Sequence, residues 1–214
     1  MKPLILIGGG GHCKSAIDVI EAEGSFEVVG ITDQKEKIGE SINGYEVIAE
    51  DARLPELIKK YKNCLVTVGQ LKDPSLKIKL YDMAKNAGAQ FPVIISPHAY
   101  VSGRSTLGEG TIVFHRAVVN TNVDIGVNCI INTGSIIEHD STVGSHTHIA
   151  PGAIVNGHCR VGNKVLIGSG AVMLQQTSVG DRAVIGANST VNRSVDQPGI
   201  YSGSPVRRVG KSPS

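Results

Sequence analysis

The histidine with the richest chemical surroundings in this sequence is His139, which lies between two carboxylates in the run Ile137 to Asp140. An imidazole titrates near neutral pH and is the natural general base for taking a proton from a reacting group. A neighbouring carboxylate can fix its tautomer or raise its basicity, and either Glu138 or Asp140 could do this. His139 therefore has the best local surroundings for a catalytic base among the histidines, and its partner stays open.

The other histidines give weaker signals. We expect His115 and His158 to be solvated polar residues on the outside of the molecule. His146 and His148 could join His139 at a metal ion, but this set lacks the spacing of a known metal site. No bound metal is predicted.

A second candidate site is the glycine run Gly8 to Gly11, followed by His12, between a strand-like and a helical segment. The backbone N–H groups of such a turn can approach a phosphate at the positive end of the helix. Cys13 stands where the dinucleotide-binding fingerprint has its third glycine, which argues against NAD. Asp33, at the end of the next strand, could accept hydrogen bonds from a ribose or base edge. We predict a phosphorylated ligand here.

The cysteines are widely spaced and none belongs to a CxxC pair, so neither a disulfide framework nor a zinc knuckle is indicated. We expect buried free thiols, and none is placed to suggest an acyl-enzyme. These residues are Cys13, Cys64, Cys129 and Cys159.

A repeat of six residues governs the second half of the chain. Sixteen positions at intervals of six, from Val101 to Val191, are all apolar, and a small or β-branched residue follows each of them by four positions. A helix repeats near 3.6 residues and a plain strand near 2, so this spacing predicts short strands joined by corners. Both sets of residues should point into one continuous solenoid core.

The second residue of most of these hexads is Gly or Asn, as at Gly108, Gly144 and Asn132. Both types tolerate a positive φ. The pattern therefore predicts left-handed backbone at the second position of the hexads.

The first 95 residues show another pattern, in which strands and helices alternate. This alternation is typical of a small parallel sheet of the mononucleotide-binding kind. Pro92 and Pro97 mark its end, which gives an α/β domain over 1–95 and a repeat domain over 96–214. Strands are predicted at 4–7, 27–32, 65–68 and 91–95, and helices at 15–23, 55–61 and 74–86.

Charge and hydropathy exclude other partners. The 21 Lys and Arg against 19 Asp and Glu give a formal charge of +2, too small to indicate binding to nucleic acid or an anionic membrane. No segment approaches the roughly 20 apolar residues that a bilayer requires, and the first apolar run is shorter than that of a secretory signal. We expect a cytoplasmic protein with neither nucleic acid nor membrane as partner.

The hexads, the glycine-rich front domain and the run Asn132 to Asp140 together resemble the bacterial hexapeptide-repeat N-acetyltransferases of nucleotide-linked amino sugars, such as those of the bacillosamine pathway. The sialic acid O-acetyltransferases are similar in layout. The resemblance implies a Rossmann-like α/β domain followed by a left-handed parallel β-helix with three hexads per coil. It also implies that His139 is the general base, that Asp140 makes it more basic, and that acetyl-CoA is the acyl donor.

The same resemblance implies a nucleotide-sugar pocket in the front domain. The resemblance makes UDP the leading choice of nucleotide. Gln34 stands where the bacillosamine enzymes have a second acidic residue, and this departure leaves dTDP and GDP open. The residues that the resemblance places in this pocket are Gly10, Gly11, His12, Asp33, Gln34 and Gly69.

Acetyl-CoA is expected along the solenoid, at His148, Ser169 and Ala187. Ser169 and Ala187 are three hexads apart, so they should stack on adjacent coils and could follow one extended ligand. The basic tail residues Arg207, Arg208 and Lys211 could meet CoA phosphates, and the alternative is that they are simply solvated. The resemblance further implies a homotrimer.

The predicted function is acetyl-CoA-dependent N-acetylation of the 4-amino group of a nucleotide-linked 4-amino-4,6-dideoxy sugar, for the synthesis of a surface glycan or glycoprotein. One alternative is O-acetylation of sialic acid or another sugar. An alternative of another class is a non-catalytic nucleotide-binding solenoid, in which the segment around His139 has no chemical role.

Overall fold

The computed structural model describes residues 1–71 and 73–211 and divides the chain into two compact units. The first comprises Met1–Gly69 and Ser75–Ile94, and the second comprises Gln70–Pro74 and Ile95–Ser214. The short segment Gln70–Pro74 therefore belongs to the second unit, although the first unit surrounds it in sequence.

The first unit is an α/β structure built on a five-stranded sheet. Its strands are β1 (Lys2–Ile7), β2 (Phe26–Asp33), β3 (Ser41–Ile42), β4 (Tyr45–Glu50) and β5 (Asn63–Val66), and its helices are α1 (Gly11–Glu23), α2 (Leu54–Tyr61) and α3 (Ser75–Asn86). The strand order is β3-β4-β2-β1-β5. Strands β1, β2, β4 and β5 are parallel, and β3 runs antiparallel to β4.

The apolar pattern of the sequence explains the core of this unit. Leu4 to Ile7 are fully buried in β1, which is typical of a central parallel strand covered on both faces. Helix α1 buries Ala16, Val19 and Ile20 as predicted, but it begins at Gly11, four residues before the predicted start. Among the described residues, no helix combines the length and the apolar content needed to cross a lipid bilayer.

Two details within residues 1–95 differ from the prediction. The β3–β4 hairpin was missed, although Asn43-Gly44 at its turn, with φ values of 48° and 88°, is a strong signal for a tight hairpin. The strand predicted over 91–95 is reduced to β6 (Ile94–Ile95). Pro92 lacks the backbone N–H that a longer strand would need there.

The second unit is a solenoid of two-residue strands that recur every six residues, as the hexads predict. The strands are β7 (Tyr100–Val101), β8 (Thr106–Leu107), β9 (Ile112–Val113), β10 (Val118–Val119), β11 (Asp124–Ile125), β12 (Ile130–Ile131), β13 (Ile136–Ile137), β14 (Thr142–Val143), β15 (His148–Ile149), β16 (Ile154–Val155), β17 (Arg160–Val161), β18 (Leu166–Ile167), β19 (Val172–Met173), β20 (Ser178–Val179), β21 (Val184–Ile185) and β22 (Thr190–Val191). They are followed by β23 (Ile200–Ser202) and β24 (Arg207–Gly210), which pair antiparallel.

Each strand from β7 to β19 pairs in parallel with the strand 18 residues further along, so that three hexads form one coil. Val119 pairs with Ile137, and Ile137 pairs with Val155. The three faces of the coil are the sheets β22-β19-β16-β13-β10-β7, β20-β17-β14-β11-β8 and β24-β23-β21-β18-β15-β12-β9-β6. Equivalent positions of successive coils therefore lie next to one another.

The inward residues form one apolar core, as predicted. The apolar hexad positions from Val113 to Val191 are at most 3% exposed, and Val101 and Leu107 pack against them. Polar residues at the small inward position link adjacent coils. For example, Ser141 Oγ donates to the carbonyl of Asn156 at 2.9 Å and accepts from the N–H of Cys159 at 3.1 Å. The buried hydroxyls are thereby satisfied.

The prediction of left-handed backbone at the second hexad position is wrong. Positive φ occurs two residues later, as at Asn122, Asp140 and His158, with φ values of 57°, 59° and 56°. At the second position the backbones of adjacent coils approach each other closely. A Cβ on Gly144 would lie 2.6 Å from the carbonyl carbon of Gly162, so glycine is required there for space.

Replacing Gly144 with Ala should therefore destabilise the solenoid. We expect a loss of about 1–3 kcal/mol in the free energy of unfolding, the usual effect of forcing a methyl group into a packed region. Gly103 is the control, because its Cβ would meet nothing within 4 Å. Gly103→Ala should change stability by less than about 0.5 kcal/mol. Urea denaturation at one protein concentration measures both, and equal effects would contradict the packing argument.

Candidate active site

His139 and Asp140 lie at the corner between β13 and β14. Asp140 Oδ2 is 2.8 Å from His139 Nδ1. With the carboxylate accepting from Nδ1–H, the lone pair of the ring lies on Nε2, the nitrogen that can take a proton. The side chain of His139 is 43% exposed, so a substrate can reach it. This is the arrangement of a general base and its orienting carboxylate.

The structure also resolves which carboxylate partners His139. Glu138 Oε2 accepts a hydrogen bond of 2.7 Å from Asn120 Nδ2, on the preceding coil. Asp140 is therefore the partner of the imidazole.

The ring of His139 lies against Gly157, at the equivalent position of the next coil. A Cβ at Gly157 would be 2.8 Å from both Cε1 and Nε2 of His139. Any side chain larger than hydrogen would displace the ring. The separation of 18 residues was a signal for this contact that sequence reasoning did not use.

Asp140 is held from the adjacent coils as well. Asn122 Nδ2 donates to its Oδ1 at 3.1 Å, and His158 Nε2 lies 3.6 Å from its Oδ2. The hydrogen bonds from His139 and Asn122 lower the pKa of the Asp140 carboxyl, with a smaller contribution from the charge of a protonated His158. Asp140 is therefore ionised at neutral pH.

The two histidines expected to be merely solvated are not equivalent. His158 is exposed as expected, but its ring packs edge-on against that of His139, with centroids 5.3 Å apart. His115 is half-buried and its Nδ1 lies 2.6 Å from Ser96 Oγ, so the expectation of a solvated side chain was wrong for it. Ser96 is fully buried, which makes this pair a structural contact.

One cluster brings three residues of metal-ligating types together. Within residues 1–71 and 73–211, this is the group His139, Asp140 and His158, whose side-chain N and O atoms lie within 4.8 Å of one another. The closest pair among these atoms is hydrogen-bonded, as described above for His139 and Asp140. The alternative set with His146 and His148 does not form such a group.

His148, expected at acetyl-CoA, is 6% exposed, and both of its ring nitrogens are hydrogen-bonded. Nδ1 lies 2.7 Å from the carbonyl oxygen of Gln70, and Nε2 lies 3.0 Å from Asn132 Nδ2. The ring therefore donates from Nδ1 and accepts at Nε2, which is a neutral tautomer. Its role at acetyl-CoA stays a prediction, and a ligand there would meet a ring whose nitrogens are already engaged.

Ser169 and Ala187 are both exposed and lie on adjacent coils, as their spacing predicts. The N–H of Asn188 donates to the carbonyl of Ser169 at 2.8 Å, which fixes this stacking. The two residues present neighbouring surface for one extended ligand. Binding of acetyl-CoA at these positions stays a prediction.

The glycine run of the first unit separates into two parts with different roles. A Cβ on Gly8 would clash with Val68, and one on Gly9 would clash with the side chain of Ile42. These two glycines are required by packing. Gly10 and Gly11, in contrast, have open space at the Cβ position, and they lie where α1 begins. They are the two that a phosphate could approach.

His12 and Gly69 lie next to each other in the first unit. A Cβ on Gly69 would be 3.3 Å from the Cβ of His12. Both had been predicted in one pocket, and their proximity is compatible with this. Their contact with a nucleotide-sugar stays a prediction.

Asp33 ties the glycine turn to the end of β2. Its Oδ2 accepts from the N–H of Gly9 at 2.7 Å and from Lys37 Nζ at 3.0 Å, and its Oδ1 accepts from the N–H of Gln34 at 2.7 Å. Burial raises the pKa of this carboxyl, but the hydrogen bonds from Gln34, Lys37 and Gly9 outweigh burial and lower it. Contacts of Asp33 and the exposed Gln34 with a base or ribose stay predictions. Lys37, four residues after Asp33, was missed by the sequence analysis.

Comparisons with known proteins give two family matches. The family described as the PglD N-terminal domain matches residues 3–84, and the bacterial transferase hexapeptide family (six repeats) matches residues 158–193. A sequence search of curated proteins found no match.

Solved structures are similar over nearly the whole chain. A perosamine N-acetyltransferase from Caulobacter crescentus, a mutant in complex with CoA and GDP-perosamine, is 30% identical, with coverage of 99% of this chain and 98% of that chain and a TM-score of 0.92. The acetyltransferase domain of PglB from Neisseria gonorrhoeae, in complex with acetyl coenzyme A, is 29% identical, with coverage of 97% and 99% and a TM-score of 0.89. The predicted fold class, an α/β domain followed by a left-handed β-helix of hexapeptide repeats, is confirmed.

Replacing Asp33 with Asn should change how stability depends on pH. Because the folded-state pKa of Asp33 lies below its ordinary value of 3.8, its stabilising contribution is present above that value and is lost as pH falls through the folded pKa. The stability advantage of the wild type over Asp33→Asn should therefore be constant above about pH 5 and shrink below about pH 4.

Urea denaturation from pH 3 to pH 7 measures this difference. Asp82→Asn, at an exposed position of α3, serves as the control. Parallel stability curves for the wild type and Asp33→Asn over the whole range would contradict the assignment.

Proposed function

We propose that this chain, which belongs to the hexapeptide-repeat N-acetyltransferases of nucleotide-linked amino sugars, transfers the acetyl group of acetyl-CoA to the 4-amino group of a 4-amino-4,6-dideoxy sugar carried on a nucleoside diphosphate. The proposal rests chiefly on the hydrogen-bonded pair His139–Asp140, which is exposed at a corner of the solenoid.

In the proposed reaction, the amine nitrogen attacks the thioester carbonyl while His139 Nε2 accepts its proton. Asp140 stabilises the imidazolium that forms, and backbone N–H groups stabilise the oxyanion of the tetrahedral intermediate. The C–S bond then breaks, and the thiolate of CoA leaves and takes up a proton. The products are the N-acetyl sugar and free CoA.

Direct transfer without an acyl-enzyme agrees with the state of the cysteines. All four are free and buried, at most 1% exposed. Burial raises the pKa of Cys64 to about 12, so it is a thiol at neutral pH. A thiol in this state is a poor nucleophile, because the thiolate is the reactive form.

The diphosphate of the nucleotide would bind at Gly10 and Gly11, where α1 begins and the space at the Cβ positions is open. UDP is our first choice of nucleotide, on the resemblance to the bacillosamine enzymes. The perosamine enzyme of Caulobacter crescentus was crystallised with GDP-perosamine, which makes GDP the second choice. The polymer that the product enters, a surface glycan or a glycoprotein, stays a prediction, as does a cytoplasmic location.

The test is acetyl-CoA consumption, measured as released thiol, with UDP-, dTDP- and GDP-linked 4-amino sugars and with free sialic acid. We expect turnover with one nucleotide-sugar. His139→Ala should lower kcat by about 10²- to 10⁴-fold with KM little changed, as expected for loss of a general base.

Four other results would each contradict part of the proposed function. Turnover with sialic acid alone would replace the proposal with O-acetylation, and absence of CoA binding would favour a non-catalytic solenoid. Near-normal turnover in His139→Ala would remove His139 as the base, and a covalently acetylated enzyme would exclude direct transfer.

We further propose that the chain forms a homotrimer, on the resemblance to its family. Light scattering coupled to size-exclusion chromatography should give a mass three times that of one chain. A mass equal to one or two chains, unchanged over a tenfold range of concentration, would contradict this.

A further inference from the structure

Three residues on successive coils form a column along the corner that carries the general base. Asn122, Asp140 and His158 are separated by 18 residues each, and all three have left-handed backbone. Equal spacing and equal backbone conformation bring their side chains into register. We call this set the corner column.

Asn122 determines how the Asp140 carboxylate is oriented. Its Nδ2 donates to Oδ1 at 3.1 Å, while Oδ2 accepts from His139 Nδ1 at 2.8 Å. A carboxylate bound at both oxygens by different side chains is restrained against rotation about its own axis. Without Asn122, Oδ1 would have no side-chain donor from the preceding coil.

His158 borders the same carboxylate from the following coil. Its Nε2 lies 3.6 Å from Oδ2, the oxygen that also binds His139. Its ring meets that of His139 edge-on, with an interplanar angle of 89°. His158 thus limits the positions open to both Asp140 and His139.

We propose that Asn122 and His158 are positioning residues of the active site, which hold the Asp140 carboxylate against His139 from the coils on either side. The inference rests on the proposed role of His139 as the base. Neither residue needs to touch substrate, since both act through Asp140.

The electrostatics agree with this geometry. The hydrogen bond from Asn122 is the second largest cause of the lowered pKa of Asp140, after that from His139. Removing Asn122 should therefore raise the pKa of the Asp140 carboxyl. A carboxyl ¹³C titration detects this change without any assay of activity.

The kinetic test uses glycine at each position, because glycine adopts a positive φ without strain. Asn122→Gly and His158→Gly should each lower kcat by about 3- to 10-fold, the range expected for the net contribution of one ordinary hydrogen bond at a solvent-exposed site, with KM for both substrates within about twofold. In the Asp140→Asn background each should lower kcat by less than about twofold, because both residues act through the Asp140 carboxylate and this background lacks it.

The control is Gln176→Gly. Gln176 has the same left-handed backbone, with φ 62°, and is exposed one coil beyond His158. It tests whether loss of any side chain along this edge lowers kcat. We expect no change of more than about twofold.

The outcomes distinguish this inference from the proposed function. Loss of turnover in His139→Ala together with normal turnover in Asn122→Gly and His158→Gly would overturn the positioning role alone. Near-normal turnover in His139→Ala would overturn both. Three further results would overturn the positioning role. They are equal losses of kcat with and without Asp140→Asn, a raised KM with kcat unchanged, and an unshifted titration of the Asp140 carboxyl in Asn122→Gly.

Discussion

Parallel stacking of 18-residue coils is the constraint on which the second unit depends. Strand residues from β7 to β19 pair with the residues one coil further on, as Val119 does with Ile137, so each position must suit its equivalents in the adjacent coils. Inward positions are therefore aliphatic or small throughout. Where backbones come closest, as at Gly144 and Gly162, even a methyl group is excluded. The six-residue period of the sequence is a consequence of this requirement.

The same stacking assembles the candidate site from residues that are distant in sequence. His139 and Asp140 come from one coil, Asn122 from the coil before, and Gly157 and His158 from the coil after. Left-handed backbone at the corners turns equivalent side chains toward the same edge. A column of corner residues is thus a natural means by which a solenoid can support one catalytic side chain from two sides.

The sequence predicted the aspects of the fold that follow from periodicity, which are the inward residues, the coil of short strands and the α/β front unit. It identified His139 but left Glu138 and Asp140 equivalent, because the choice depends on which side chain Asn120 engages in the neighbouring coil. It misplaced the left-handed corners, since Gly is used both for close approach of backbones and for positive φ. The burial of His148 beneath Gln70 could not be predicted, because it joins residues 78 apart through tertiary packing.

Asp33 and Asp140 show two ways of using a carboxylate that is kept ionised. Asp33 is 8% exposed and accepts two backbone N–H groups, so its charge serves mainly to fix the glycine turn. Asp140 is exposed, and solvent weakens the field that it exerts on His139. Its effect on His139, the proposed base, must then come chiefly from fixing the Nδ1–H tautomer and the orientation of the ring. Orientation requires that the carboxylate itself be held, and in this chain the side chains that contact it from the adjacent coils are Asn122 and His158.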